Sequence, residues 1–368
     1  MSVGTPFSGS YAPEDVTFLL KPVGAAAYQT CAPEEKERLI QTGVRHYSEM
    51  ISREDPPSPA YLAVFDAALD RHGARMARET AALAVALAKS IDGPITLASL
   101  VRAGLPLGVL LRRALRAMGR DVAHFGISII RDRGLDLQAL RAIQAQRPAS
   151  GLVFVDGWTG KGAIAAELAR DLAARAPEIS PRLVALADPC GRAWLSASHD
   201  DWLIPSGILG GIVSGLVSRS ILNDALVGPG EFHATISTAH LSGWDRSRAF
   251  VDRLTPPMLA ALATAAPPRT RAEIDAAAAA ICTAADAAID RLAARFAVAN
   301  RNRIKPGIAE ATRAVLRRAP ERVLISDDRD PDLAGILTLA AERGVAVDIA
   351  HGLVTPYRAV TLIRGMGG

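Results

Sequence analysis

Residues 151–164 have the sequence GLVFVDGWTGKGAI, and this stretch decides the fold. The apolar run 152–155 between two glycines predicts a buried strand that ends on one carboxylate, Asp156. A tight glycine-containing loop follows, and residues 163–174 have the pattern of a helix. A strand, a glycine-rich loop and a helix together present backbone N–H groups to a phosphate at a helix N-terminus. Because the acid beside them can take a sugar hydroxyl or help to hold a metal, we expect a phosphorylated sugar as ligand.

Strands and helices alternate on both sides of this stretch. The strands predicted there are residues 95–101, 122–130, 152–155 and 182–187, and the helices are 107–118, 137–145 and 163–174. Such alternation predicts an α/β fold, with a parallel sheet that carries helices on both faces. Ligands of such sheets bind beyond the carboxyl ends of the strands.

Changes in composition and breaks rich in proline and glycine divide the chain into two predicted domains, residues 1–296 and 297–368. The first comprises a helical part, an α/β core and an alanine-rich helical region, at residues 1–91, 92–245 and 246–296. Its predicted outer helices are residues 33–53, 59–90 and 256–296, the last broken at 267–268 by two prolines. The second is a small α/β unit with helices at 307–318 and 331–343 and strands at 322–326, 345–349 and 358–363.

Composition places the chain among globular proteins, since 49% of its 368 residues are hydrophobic and 22% are charged. The three cysteines, Cys31, Cys190 and Cys282, are few, odd in number and far apart. This argues against a disulfide framework or a zinc site and suits a reducing compartment. We find no signal-like start and no apolar run that would span a membrane, so we expect a cytoplasmic protein. The sequence does not indicate an oligomeric state.

Positive charge is concentrated near the second domain, although the whole chain has a net charge of only +4. Between residues 291 and 318, only Asp290 at the edge and Glu310 oppose eight basic side chains. These are Arg291, Arg295, Arg301, Arg303, Lys305, Arg313, Arg317 and Arg318. Such a local excess is typical of a surface that contacts phosphates.

The stretch 154–162, FVDGWTGKG, resembles the signature of type I phosphoribosyltransferases, in which a strand and usually two acids precede a Thr-Gly-Gly-Thr-like loop. The resemblance implies that Asp156 holds the ribose of phosphoribosyl pyrophosphate. It also implies that the loop amides hold the 5′-phosphate, at Thr159, Gly160, Lys161, Gly162 and Ala163. Gly157 stands where a second acid is usual, and Lys161 adds a charge to the loop.

Two further loops follow predicted strands in the order that this family has. Residues 100–108, LVRAGLPLG, resemble its pyrophosphate loop, in which Arg102, Ala103 and Gly104 would meet the leaving group. Residues 129–136 match its mobile covering loop, and Arg131 and Arg133 could close over phosphates. The resemblance implies Mg²⁺, brought mainly by the substrate, with Asp156 as a possible ligand. Taken singly, each loop could also be an ordinary turn.

Over nearly its whole length the chain resembles the bacterial StiP family, which occurs with tellurite-resistance gene clusters. The opening residues 7–21, FSGSYAPEDVTFLLK, carry this resemblance, as do the segments around 188–191, 205–219 and 231–233. The family is described both as phosphoribosyltransferase-like and as a cysteine protease, and it implies a role in stress resistance.

The protease description gives a rival hypothesis. Cys190, His199 or His233, and an acid such as Asp201 could provide a nucleophile, a base and an orienting group. The alternative is that Cys190 is a small buried apolar residue. The histidines could equally bind a base-like substrate or have a structural role.

Residues 305–313, KPGIAEATR, resemble the Gly-x-Asn-Glu-x-x-Lys motif of the Pelota-type RNA-binding fold. The resemblance carries Gly307, Glu310 and Arg313 over as RNA-binding residues. Ala309 replaces the usual Asn, which favours contact with an RNA backbone over a base edge. A third hypothesis is therefore a non-catalytic module that binds nucleotide and RNA.

Overall fold

The computed structural model describes residues 6–24, 26, 33–51, 53–266 and 270–365. Its strands are β1 Thr17–Phe18, β2 Lys21–Val23, β3 Ile95–Leu100, β4 Val122–Ile127, β5 Ile129–Ile130, β6 Gly134–Leu135, β7 Leu152–Trp158, β8 Leu183–Ala187, β9 Leu195–Ser198, β10 Ala234–Ile236, β11 Ile304–Pro306, β12 Pro320–Ile325, β13 Ala346–Ile349 and β14 Ala359–Ile363. Its α-helices are α1 Pro33–Gln41, α2 Pro59–Ser90, α3 Leu105–Ala117, α4 Leu137–Gln144, α5 Ala163–Arg175, α6 Pro205–Ile208, α7 Ser247–Leu262, α8 Arg271–Arg295, α9 Ile308–Arg317 and α10 Ala334–Glu342. In these described ranges, no helix combines the length and the hydrophobicity that crossing a membrane requires.

The central sheet has six strands in the order β1-β4-β3-β7-β8-β9, and every neighbouring pair is parallel. Side chains alternate along β7, so that Val153 and Val155 pack towards α2, α3 and α7. Leu152 and Phe154 face α4 and α5 on the other side. The predicted α/β class, a parallel sheet between two layers of helices, is confirmed.

The C-terminal unit has a four-stranded sheet in the order β11-β14-β12-β13. Strand β14 is antiparallel to β11 and β12, and β12 is parallel to β13. One face packs α9 and α10 into the same apolar core as α2, and α8 covers the other face. This confirms the predicted small α/β unit. The domain division at residue 297 stays a prediction, and it falls just after α8.

Polar contacts also fix the C-terminal unit on the central sheet. Asp201, which follows β9, accepts from the N–H of Ile308 at 2.9 Å and so caps α9. Asp332 lies 2.5 Å from Nε2 of His72 on α2, and Arg358 donates to Asp200 at 2.6 Å. The start of α9 is therefore held against the carboxyl edge of the central sheet.

The local predictions differ from the structure at turns. The helix predicted over 33–53 ends at Gln41, because Gly43 has a φ of +70° and breaks it, and a 3₁₀ turn follows at Tyr47–Glu49. The strand predicted over 122–130 divides into β4 and β5, since β5 pairs with β6 in a separate hairpin. The predicted proline break at 267–268 lies outside the described residues.

Candidate active site at the carboxyl ends of the strands

The loop between β7 and α5 forms the floor of the candidate site. Asp156 is half-buried at the end of β7 and accepts from the N–H of Gly157 at 2.8 Å. Gly162 has a φ of +79°, which side-chain-bearing residues rarely adopt, and α5 begins directly after it without a side-chain cap. The first N–H groups of α5, from Ala163 onward, are therefore available to an anion.

The loop between β3 and α3 is packed tightly against this floor. A Cβ on Gly104 would lie 2.0 Å from the carbonyl oxygen of Val155, and one on Gly157 would lie 2.9 Å from that of Ala103. Glycine at both positions is thus what lets the two loops touch, and position 157 has no room for a second acid. The structure therefore brings Ala103 and Gly104 against Gly157 and Val155, the residues on either side of Asp156.

Arg102 is buried and already engaged with protein groups. Its guanidinium donates to Oε1 of Glu54 at 2.5 Å and to the carbonyl oxygen of Val217 at 2.9 Å. Arg317 from α9 reaches the same Glu54 oxygen at 3.1 Å. Because two guanidinium groups share one carboxylate here, positive charge remains in excess at this end of the site.

The two arginines of the expected covering loop lie apart. Arg131 lies over the ring of Tyr47, with its guanidinium carbon 5.5 Å from the ring centroid, and it donates to Oδ1 of Asn302 at 3.3 Å. Arg133 instead pairs with Glu49 and the carbonyl of Leu222. Only Arg131 thus reaches towards the C-terminal residues that adjoin the phosphate loop.

The C-terminal unit covers residues 159–162 between β7 and α5, called the phosphate loop below. Lys161 donates to the carbonyl oxygen of Arg301 at 2.5 Å, and the carbonyl oxygen of Pro306 lies 3.3 Å from where a Cβ on Gly160 would stand. The side chain of Glu310 lies 3.7 Å from the same point. The guanidinium carbon of Arg313 lies 5.4 Å from the ring centroid of Trp158. Glu310 and Arg313, expected to meet RNA, thus face the phosphate loop.

The pKa values of the charged groups show the cost of burying them here. Burial raises the pKa of Asp156 to about 7, against the opposing hydrogen bond from Gly157 and the charge of Arg313. Burial and the neighbouring Lys305 lower the pKa of Lys161 to about 7. Burial likewise lowers the pKa of Lys305 to about 8 and that of Arg313 to about 10. An anionic ligand would stabilise the buried charges of Lys161, Lys305 and Arg313.

Cys190 lies in the turn after β8, beside the phosphate loop, and is 1% exposed. Its thiol contacts Oγ1 of Thr159 at 3.1 Å and Oδ1 of Asp188 at 3.6 Å. Burial and the Asp188 carboxylate raise the pKa of the thiol well above its usual range. Cys190 also packs into the apolar cluster between α8 and the C-terminal sheet. In this geometry it is a small buried group and is held as a thiol.

The structure does not join Cys190 directly to either candidate histidine. Nδ1 of His199 lies 3.0 Å from the carbonyl oxygen of Asp188 and 4.0 Å from its Oδ2, so Asp188 contacts both His199 and the thiol. His233 is bound to Ser128 at 2.8 Å, near the β5–β6 hairpin. Asp201 caps α9 and is the partner of neither histidine. Within the described residues, no hydrogen bond links the Cys190 thiol to a histidine.

Some residues of the site escaped sequence reasoning. Glu54, Trp158 and Asp188 contact the predicted residues, but each is an ordinary side chain within its own segment. Lys305 was noted only as part of the basic run, although it lies beside the phosphate loop with 6% exposure. The sequence feature that could have indicated it is that Lys305 is the one charged residue of β11 and stands two residues before Gly307.

A magnesium ion would depend on its ligand here. Among the described residues, no group of three or more His, Cys, Asp or Glu side chains is placed to hold a metal. Mg²⁺ usually keeps several waters and binds through one or two carboxylates together with substrate phosphates. Asp156 fits that role as an oxygen donor at the loop, and the ion would help to neutralise a pyrophosphate.

Comparisons with known proteins agree with this organisation. The family described as "Tellurite-like stress resistance cysteine protease StiP" matches residues 9–255, and the PELOTA RNA binding domain matches residues 283–365. "Cysteine protease StiP" of Acinetobacter baylyi (strain ATCC 33305 / BD413 / ADP1) is 44% identical over 375 residues, which cover 98% of this chain and 95% of that protein. The solved hypoxanthine phosphoribosyltransferase of Trypanosoma cruzi is 15% identical, with a TM-score of 0.27 over 33% of this chain and 66% of that one. That structural likeness is too distant to carry an argument. The family match and the 44% identical relative show that the chain belongs to the StiP family.

Proposed function

We propose that this chain binds phosphoribosyl pyrophosphate, or a related ribosyl phosphate, with Mg²⁺ and transfers the ribosyl phosphate to an acceptor. One observation carries the proposal. The β3–α3 and β7–α5 loops are in contact at the carboxyl edge of a parallel sheet, with Lys161 in the loop after β7, Asp156 at the end of β7 and Arg102 next to Ala103, which touches Gly157. The substrate has its groups in the same order: a phosphate for Lys161, a neutral sugar for Asp156 and a pyrophosphate for Arg102.

Each part of the substrate has a matching group. The 5′-phosphate would take the uncapped N–H groups at the start of α5, together with Lys161. The ribose hydroxyls would donate to the carboxylate of Asp156. The pyrophosphate would lie towards Arg102, in the excess positive charge around Glu54.

The chemistry needs no protein nucleophile. A lone pair on the acceptor forms the new bond to the anomeric carbon, the bond to pyrophosphate breaks, and pyrophosphate leaves with that electron pair. The acceptor then gives its surplus proton to solvent. The protein's share is to fix the ribose and to neutralise the charge that develops on the leaving group. The acceptor could be a base, an amine or RNA.

A thermal-shift screen of phosphorylated sugars, with and without Mg²⁺, tests the proposal. Ligand that binds only the folded chain adds about 2.7 kcal/mol of stability at a hundredfold excess over its Kd. We expect ribose 5-phosphate, and more strongly phosphoribosyl pyrophosphate with Mg²⁺, to raise the Tm by several degrees. Glucose 6-phosphate and inorganic phosphate serve as ligand controls. No shift with any ribosyl phosphate would refute the proposal.

The second candidate is a cysteine protease, and what favours it is the name of the 44% identical relative. Cys190 would be the nucleophile, with His199 as its base on the far side of Asp188. The Asp188 side chain would have to move for the thiol to reach the imidazole. Peptide cleavage that needs a reduced thiol and disappears in Cys190→Ala would establish this activity.

A non-catalytic role is the third candidate, and it draws on the match of residues 283–365 to the PELOTA RNA binding domain. In that case the chain would bind nucleotide and RNA without turnover. Retained ligand binding with no release of pyrophosphate, for any acceptor offered, would favour it over the transferase.

A further inference from the structure

Lys305 places a largely buried positive charge at the phosphate end of the site. Its side chain is 8% exposed, and its ion-pair partner is Glu310, at 3.7 Å. No hydrogen bond to Nζ of Lys305 occurs in the part of the chain that the structure describes. The next residue, Pro306, adjoins Gly160 of the phosphate loop. A buried ammonium group without hydrogen bonds, next to an uncapped helix start, has the chemistry of a phosphate site.

Glu310 places a second carboxylate against the phosphate loop, where its charge acts on Asp156. Its side chain packs against Gly160, and its negative charge helps to raise the pKa of Asp156. Position 157 on the loop itself has no room for a second acid, because Ala103 occupies the space. Two carboxylates facing one space suit the two neighbouring hydroxyls of a ribose, each of which can donate one hydrogen bond.

Arg313 places an uncommitted guanidinium at the leaving-group end. It lies over Trp158, and its guanidinium makes no hydrogen bond within the described ranges. Arg313 precedes Arg317 by four residues on α9, so the two lie on one face of the helix, and Arg317 shares Glu54 with Arg102. Arg102 is already held by Glu54 and Val217, whereas Arg313 keeps its donors for a ligand.

We infer that the C-terminal unit supplies half of the ribosyl-phosphate site: Lys305 for the 5′-phosphate, Glu310 for a ribose hydroxyl and Arg313 for the pyrophosphate. This inference rests on the proposed function and assigns the same site further binding residues. The motif that resembles an RNA-binding edge then serves the sugar phosphate. Consistent with this, the N–H of Ile308 at the start of α9 is already used by Asp201.

Calorimetric titration of the full chain with three ligands separates the three roles. The ligands are ribose 5-phosphate, 2-deoxyribose 5-phosphate and phosphoribosyl pyrophosphate with Mg²⁺. A charge-assisted hydrogen bond contributes about 1.5–3 kcal/mol, which is about 10–100-fold in Kd. We expect Lys305→Met to weaken all three ligands by about tenfold or more. Glu310→Gln should remove the preference for ribose over deoxyribose, and Arg313→Ala should weaken phosphoribosyl pyrophosphate far more than ribose 5-phosphate.

Matched controls use exposed residues away from the site: Lys89→Met, Glu178→Gln and Arg141→Ala. The milder variants Lys305→Gln, Glu310→Asp and Arg313→Lys replace any variant that fails to fold. If wild type binds ribosyl phosphates and Asp156→Ala abolishes binding, while these site variants bind like wild type, the inference is overturned and the proposed function stands. If the site variants lose only a single-stranded RNA oligonucleotide, the inference is likewise overturned. If wild type binds no ribosyl phosphate, the proposed function fails, and the inference falls with it.

Discussion

Two neighbouring turns at one edge of the sheet differ in how their polar groups are satisfied. The phosphate loop, residues 159–162 between β7 and α5, contains Lys161, and Asp156 precedes it in β7; burial raises the pKa of Asp156 and lowers that of Lys161, each to about 7. In the turn after β8, residues 188–193, the side chain of Asp188 accepts hydrogen bonds from the backbone of the turn itself. The Asp188 carboxylate accepts from the hydroxyl of Thr159, the N–H of Arg192 at 3.0 Å and the N–H of Ala193 at 2.9 Å.

The difference separates a binding loop from a structural turn. Burying a charged group without enough partners costs free energy, and such groups are typical of sites where a bound ligand supplies the missing interactions. A fully hydrogen-bonded network instead holds the backbone in place. On this account Cys190 belongs to the structural turn, because its thiol is a member of the Asp188 network. On the same proposal the phosphate loop binds the ligand, and the following variants test that division.

The largest effect should come from Asp188→Ala. Removing the carboxylate leaves the buried N–H of Ala193, the partly buried N–H of Arg192 and the buried Thr159 hydroxyl without their acceptor, which should cost about 3 kcal/mol of stability. Urea denaturation measures this loss. Asp188→Asn keeps one acceptor oxygen and should lose less.

The control for that variant is Asp66→Ala, at an exposed position on α2, which should leave the free energy of unfolding within about 0.5 kcal/mol of wild type. An Asp188→Ala chain as stable as wild type would contradict a structural role for the turn. It would leave Asp188 free to serve the rival catalytic arrangement.

A smaller effect of opposite sign is expected for Asp156→Asn. The folded pKa of Asp156 is about 7, and aspartate in an unfolded chain titrates near about 4. The folded state therefore holds this proton more tightly, and the contribution of Asp156 to stability is lost as the pH rises from about 4 to about 7. Asparagine does not ionise, so the variant should be more stable than wild type at pH 8 by about 1–2 kcal/mol, allowing for solvent screening.

Denaturation at pH 8 and pH 5 measures this effect, and the advantage should shrink at pH 5. Arg313 and Glu310 are the charged groups that act on Asp156, and both keep their charge over this range. Asp66→Asn, at an exposed site, should show no such pH dependence. An Asp156→Asn chain less stable than wild type at pH 8 would place Asp156 with the structural groups.

The smallest effect is expected for thiol labelling of Cys190. A buried thiol whose pKa is raised has almost no thiolate at pH 7.5, so iodoacetamide should not modify it in the folded chain. Peptide mapping distinguishes Cys190 from half-buried Cys282, and labelling in urea provides the control. Rapid labelling of Cys190 in the folded chain would favour the protease.

Local pattern predicted the parts of the site that lie within one strand-loop-helix unit. Asp156 and the loop 159–163 are readable because a buried strand, glycines and a helix start are adjacent in sequence. The sheet order then brought Arg102 and Gly104 to the same edge, as expected for parallel strands. The sequence did not show which distant segments contact these residues. Two examples are the contact of Glu54 with Arg102 and the position of Lys305 beside Gly160. Each of those contacts depends on how the C-terminal unit or residues 47–54 dock, and no local periodicity encodes docking.

Cys190 and the Pelota-like motif show the same limit. The sequence singled out these residues, but their contacts depend on segments more than a hundred residues away or, for Cys190, on the buried Asp188. The contact of Asp201 with α9 joins residues 201 and 308, and it turned a candidate catalytic acid into a helix cap.

The most direct test of the central claim is a titration of phosphoribosyl pyrophosphate with Mg²⁺ into wild type, Asp156→Ala and Cys190→Ala. We expect saturable binding to wild type, a loss of about tenfold or more in Asp156→Ala, and a Kd within about twofold of wild type in Cys190→Ala. Absence of binding to wild type, together with peptide hydrolysis that only Cys190→Ala abolishes, would contradict it.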